Sequence, residues 1–232
     1  MTATTPLPQP EVVAIGRTGV DVYPLQHGVR LEEVRTFEKF LGGSATNVAV
    51  AVARHGHSVL LVTKVADDAF GRFVRLEAER LGVDPSSITV HHGGPPTPVT
   101  FCEVFPPDDF PLWFYRHPTA PDLLLEKDDL PLDAIRGAGV FWSTVTGLSQ
   151  EPSRATHHAA WAARGRARHT VLDLDFRPTF WADRAEASTE VARALACGHP
   201  PPSSHCLAFL SQTKSILMTN KLVSVSRSII PQ

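Results

Sequence analysis

The 232-residue sequence contains no apolar run near the roughly 20 residues that a membrane-spanning helix needs. Its net charge is only −2 at neutral pH, which leaves no electrostatic footprint for nucleic acid or an anionic membrane. The first ten residues, MTATTPLPQP, hold neither a basic residue nor an apolar core, so they do not read as a secretory signal but as a loose, disordered leader. Cysteine is scarce. Cys102, Cys197 and Cys206 are far apart, and an odd count without a secretory signal points to reduced thiols in a cytoplasm. Cys197 and Cys206 would need His199 and His205 to form a metal pair, and no second ligand cluster supports one. A dinucleotide fingerprint is also missing, because GRTGVD (16–21) is not G-x-G-x-x-G.

What is present is an alternation of strand and helix patterns. VVAIG (12–16), SVLLVTKV (58–65), GVFWSTV (139–145) and HTVLDLDF (169–176) read as strands. Residues 46–54, 70–81, 152–164 and 185–196 read as helices, the second with apolar residues at 70, 73, 74, 78 and 81. Such alternation predicts an α/β fold with a doubly wound, mostly parallel sheet covered on both faces. Two proline-punctuated segments break the rhythm, about 20–40 and 95–118, and predict a small β-lid outside the main sheet. Phe141, Trp142, Trp161 and Trp181 read as packing residues. The adjacent pairs His91-His92 and His157-His158 lack metal-ligand spacing.

Ligands of open α/β sheets bind beyond the carboxyl ends of strands. Four stretches fall at such places. GRTGVD places Asp21 after the first strand, as an acceptor for ligand hydroxyls or as a plain turn residue. GGSATN (42–47) exposes main chain at Gly42 and Gly43 before a helix start, with Asn47 one turn in; the simpler reading is a glycine loop with a serine cap. FYRHPTAPD (114–122) ends a lid strand with Phe114 and Arg116, whose planar fork suits a carboxylate or phosphate. DLDFRP (173–178) gathers Asp173, Asp175 and Arg177, expected on one side of a strand as a charged cluster.

Together these stretches resemble the ribokinase-like (PfkB-type) sugar kinases. GGSATNVAVAVARHG (42–56) matches that family's N-terminal signature, and KVADDAFGRF (64–73) is similar to its next landmark, with Ala66 where glycine is usual. Within the family the greatest likeness is to the 5-dehydro-2-deoxygluconokinases of myo-inositol catabolism. It extends over about 11–196 through AIGRTGVDVYP, TFEKFLGGSATNVAVA, TPVTFCEVFPPDDFPLWFYRHPTAPD, GVFWSTVTGLSQEPSR and HTVLDLDFRPTFW. The resemblance implies ATP- and Mg2+-dependent phosphorylation of a primary hydroxyl on a keto sugar acid, in the cytoplasm. It implies that Asp21, Gly42, Gly43 and Asn47 bind substrate hydroxyls. Phe114 and Arg116 would hold the substrate at the end of the lid, with Arg116 on its carboxylate, and Arg177 would sit near the acceptor end or the carboxylate. It further suggests a homodimer joined through the lid, with no nucleic-acid or membrane partner.

The family's C-terminal D-T-x-G-A-G-D, whose last aspartate is the catalytic base, is not found. From Cys197 onward there are three basic residues (Lys214, Lys221, Arg227), no aspartate or glutamate, seven serines and a Pro-Pro-Pro at 200–202, whereas the preceding 196 residues hold 19 basic and 24 acidic ones. Residues 197–232 therefore read as an atypical tail outside the native fold. The chain reads as a truncated or frame-shifted kinase with the frame lost near Ala196–Cys197, the acceptor half present and no catalytic residue assigned. A kinase for 2-keto-3-deoxygluconate, a non-catalytic sugar-binding remnant and an unrelated Rossmann-type enzyme are the competing readings; the last lacks its glycine-rich loop.

Overall fold

A computed structural model describes residues 9–116, 119–165, 168–197 and 206–209. The expected leader, apart from its last two residues, and most of the tail, including His199 and His205, lie outside that set.

In chain order the elements are β1 (Val12–Ile15), β2 (Gly19–Pro24), β3 (Phe37–Gly42), α1 (Ser44–Arg54), β4 (Val59–Ala66), α2 (Ala69–Arg80) and β5 (Ile88–His91). There follow β6 (Val99–Cys102), β7 (Leu112–Tyr115), α3 (Leu132–Gly137), β8 (Val140–Thr144), α4 (Ser153–Arg164), β9 (His169–Asp173), α5 (Arg184–Cys197) and β10 (Cys206–Phe209). Six strands form one sheet in the order β10-β9-β8-β1-β4-β5, every neighbouring pair parallel.

Side chains alternate across that sheet with the period of two that a strand imposes. Val13, Ile15, Leu60, Val62, Phe141 and Leu172 pack on one face with Ile135 of α3, Trp161 of α4 and Ala187 of α5. Ala14, Leu61, Trp142 and Val171 pack on the other with Ala45 and Ala49 of α1 and Val74 and Ala78 of α2. Strands buried on both sides carry no polar alternation, which is why VVAI and VLLV look uniformly apolar. The expected two-face cover is present, and Phe141, Trp142, Trp161 and Trp181 are all buried.

The lid is a second sheet, ordered β3-β2-β6-β7. Its register aligns Asp21 with Phe40 and Thr100, and Thr100 with Phe114. Paired residues share a face, so Asp21, Gly42, Thr100 and Phe114 lie on one side of the lid.

Two details depart from the sequence reading. The strand expected over 169–176 stops at Asp173, because the Asp173 Oδ1 accepts the Asp175 N–H at 3.1 Å and turns the chain. Asp173, Asp175 and Arg177 therefore do not alternate along one strand. Beyond residue 196, Cys206–Phe209 extend the main sheet beside β9, in the register Cys206 to Thr170 through Phe209 to Asp173.

Candidate functional site

The main sheet has a topological switch point. From β1 the chain moves outward through β4 and β5 on one side, then through β8, β9 and β10 on the other. The loops leaving β1 and β8 therefore diverge, and the crevice opens between them at their carboxyl ends. Gly16 to Thr18 form the first of those loops and lead straight into the lid strand β2.

Beside the loop that leaves β1, a shallow cleft open to solvent is lined by Arg17, Thr18, Asp21, Gly43, Thr100 and Arg116 among others. Burial raises the Asp21 carboxyl above the usual carboxylate range, opposed by the charge of Arg17 and a hydrogen bond from the Thr100 hydroxyl. The two glycines have separate causes. A Cβ at Gly42 would strike the Asp21 carboxylate, so the missing side chain makes room for that group. Gly43 sits at φ +105°, and a Cβ there would press into the Arg17 carbonyl and lie 2.7 Å from the Thr18 α-carbon. The first turn of α1 is tied to the same loop by Thr46, whose hydroxyl donates to the Thr18 hydroxyl at 2.8 Å. Asn47 stands exposed on that turn and does not line the cleft.

Arg116 is 6% exposed and faces Asp122, itself 2% exposed, with Nη2 3.0 and 3.3 Å from the two carboxylate oxygens. Its guanidinium also lies 4.6 Å from the centre of the Phe180 ring, which meets Phe114 edge-on at 6.0 Å. Phe180 belongs to the short turn after Arg177, and the Arg177 Nε lies 2.9 Å from Asp175. The lid end and the β9 end thus meet through Phe114, Phe180 and Arg116. Asp173, the last residue of β9, is buried.

Arg17 and Asp122 were not singled out from the sequence, although both lie within the stretches GRTGVD and FYRHPTAPD. Arg17 is half-buried, 5.6 Å from the Phe114 ring centre. Burial and the Arg116 charge lower the pKa of its guanidinium, against the pull of Asp175, Asp122 and Asp21. Cys102, on the Asp21 face of the lid, is no nucleophile at neutral pH: burial, with the Asp21 and Glu103 charges, pushes its thiol to about 11.

The second landmark, KVADDAFGRF, supports the site from behind. Asp68 caps α2 by accepting the Gly71 N–H, and it also accepts the Thr97 N–H at 2.9 Å and the Thr97 hydroxyl at 2.8 Å. Thr97 immediately precedes the cleft residue Pro98, so this cap fixes where β6 begins. Lys64 is buried in an ion pair with Asp129 at 2.7 Å.

Asp21 offers acceptors for hydroxyl protons and the guanidinium of Arg17 offers planar donors, a set suited to a small polyhydroxylated anion, and the Phe114 ring stands 5.6 Å from that guanidinium. Among the described residues no group of three or more histidine, cysteine or carboxylate side chains could hold a metal ion, and no helix is long and apolar enough to cross a membrane.

The model of the pfkB family carbohydrate kinases matches residues 9–199. A 5-dehydro-2-deoxygluconokinase of Shouchella clausii is 35% identical over 190 residues, covering 82% of this chain and 58% of the relative. The 5-dehydro-2-deoxygluconokinase of Bacillus subtilis is 32% identical over 179 residues, covering 77% of this chain and 55% of the relative. The chain thus spans little more than half the length of the curated relatives it matches. Among solved structures, a fructokinase with bound ATP from Xylella fastidiosa superposes with a TM-score of 0.68 at 24% identity, over 82% of this chain and 59% of that one. A PfkB protein from Polaromonas gives 0.73 at 19% identity, over 80% of this chain and 62% of that one. On this evidence the chain belongs to the pfkB family of carbohydrate kinases.

Proposed function

We propose that this chain carries the acceptor side of a kinase that transfers the γ-phosphoryl group of ATP to the primary, 6-hydroxyl of 5-dehydro-2-deoxy-D-gluconate in the cytoplasm. The observation that carries the reading is the cleft itself, where a half-buried carboxylate, Asp21, and a half-buried arginine, Arg17, share one lining with the lid residue Thr100. A sugar acid has both the hydroxyls and the negative charge that such a pair selects. The names of the relatives from Shouchella clausii and Bacillus subtilis support the same substrate.

In this reading Asp21 orients hydroxyls, Gly42 leaves room for the Asp21 carboxylate, Gly43 brings main chain to the cleft wall, and Phe114 packs on the substrate. Asn47, exposed and outside the cleft lining, is given no contact with the substrate in this reading. Arg116 and Arg177, with Asp173 and Asp175, form the charged floor. ATP as phosphoryl donor is supported by the ATP-bound fructokinase neighbour, and Mg2+ would neutralise its phosphates. The described residues offer no metal cluster, so no ligand to Mg2+ is assigned among them. The 232 residues hold no D-T-x-G-A-G-D, and we therefore expect the chain alone to bind the acid without turning it over. A second copy of the chain is the proposed protein partner, through lid residues such as Trp113 and Tyr115, which are 53% and 62% exposed.

A thermal-shift panel tests the substrate. 5-Dehydro-2-deoxy-D-gluconate should raise the melting temperature more than 2-keto-3-deoxygluconate or fructose at equal concentration. A larger shift with either competitor contradicts the assignment.

A further inference from the structure

Resting on the sugar-acid reading above, we propose that Arg17 is the residue that receives the substrate's carboxylate. Arg17 and Arg116 line the cleft and Arg177 follows β9; Arg116 and Arg177 have visible anionic partners. Arg116 is buried with both Asp122 oxygens in reach of its Nη2, and Arg177 stands 2.9 Å from Asp175. Arg17 differs. Its Nε is buried, and among the described residues it has no hydrogen-bond partner. No carboxylate of the described residues forms an ion pair with it, whereas seven other lysine– or arginine–carboxylate pairs are formed among those residues.

A buried guanidinium donor without an acceptor is costly, and an incoming carboxylate removes that cost. Position agrees with this. Arg17 follows β1 directly, at the switch point of the sheet, and lines the same cleft as Asp21. The Phe114 ring, 5.6 Å away, limits where the guanidinium can swing and so helps present its planar fork. A sugar acid spanning the cleft would place hydroxyls on Asp21 and its carboxylate on Arg17. Arg116, held by Asp122, then sets the charge and shape of the floor.

The test is isothermal titration of the 232-residue chain with 5-dehydro-2-deoxy-D-gluconate and with its neutral primary amide. Wild type should prefer the acid. Arg17→Gln should weaken acid binding by roughly 10- to 100-fold while leaving amide binding within about threefold, the range set by hydrogen bonds to a charged group. Arg17→Lys, which keeps the charge and loses the fork, should fall between. Unchanged amide binding also shows that the Arg17→Gln variant is folded. An Arg17→Gln chain that keeps the preference for the acid, or that loses acid and amide alike, overturns the assignment while leaving the sugar-acid reading in place. A wild-type chain that binds neither compound overturns the sugar-acid reading, and the role of Arg17 with it.

Discussion

The carboxylate of Asp21 lies against the α-carbon of Gly42, on the strand paired beside it, so closely that a methyl group at residue 42 would overlap it. One residue of the glycine pair therefore makes room for the acidic group of the cleft. Gly42→Ala should push Asp21 out of position, lowering affinity for the sugar acid about tenfold or more and stability by about 1–3 kcal/mol. Titration calorimetry and urea denaturation of the variant check the two effects.

Gly43→Ala should act differently. The new side chain meets main chain of Arg17 and Thr18 and must adopt φ +105°, so the loss falls on folding. A destabilisation of about 1–3 kcal/mol is expected, read from the urea midpoint. A folded Gly43→Ala protein of wild-type stability would contradict the packing.

Arg116 and Asp122 form a buried pair, which is worth most when one partner is missing. Arg116→Met should cost about 3–5 kcal/mol because it strands the Asp122 charge, and adding Asp122→Leu should recover much of that loss. Equal losses in the single and double variants would show that the pair is not coupled.

His157 is wholly buried on α4, with Nδ1–H donating to the Ser153 carbonyl at 2.8 Å. Burial lowers its pKa from 6.5 to about 4. Its unfolded form takes up a proton that the folded form refuses between those values. This contribution to stability is therefore whole above pH 6.5 and is lost as pH falls towards 4, by about 3 kcal/mol in all. His157→Gln should flatten the stability profile across that interval, measured as urea midpoints from pH 7 to pH 4.

Lid pairing predicts concentration-dependent dimers by sedimentation. Trp113→Glu with Tyr115→Glu, both on exposed positions of β7, should leave monomers of unchanged fold. Wild-type chain that stays monomeric at every concentration removes the second copy as a partner.

Much of the fold was legible because its strands are apolar on both faces and its helices carry one apolar stripe. VVAI, VLLV and the 70–81 spacing all announce their elements within a few residues. The four-residue strand β5 was not legible, because an edge strand this short has only Ile88 fully buried and no pattern to repeat. The lid was visible as a break in rhythm, but its register was not. Register depends on pairings between residues as distant as Asp21 and Thr100, which no local window contains. The same limit explains Arg17. Within GRTGVD it looks like a surface loop residue, and only the approach of Phe114 and the burial of its Nε single it out. Arg116 was noticed for its charge, but its partner Asp122, six residues on, becomes visible only when the turn at Pro121–Leu124 brings it back.

The most direct test is calorimetric titration of the 232-residue chain with 5-dehydro-2-deoxy-D-gluconate in the absence of ATP, beside Asp21→Asn. Saturable one-to-one binding that Asp21→Asn weakens by roughly 10- to 100-fold is the predicted result. No binding by the folded wild-type chain, or equal binding by Asp21→Asn, would contradict an acceptor site built around Asp21.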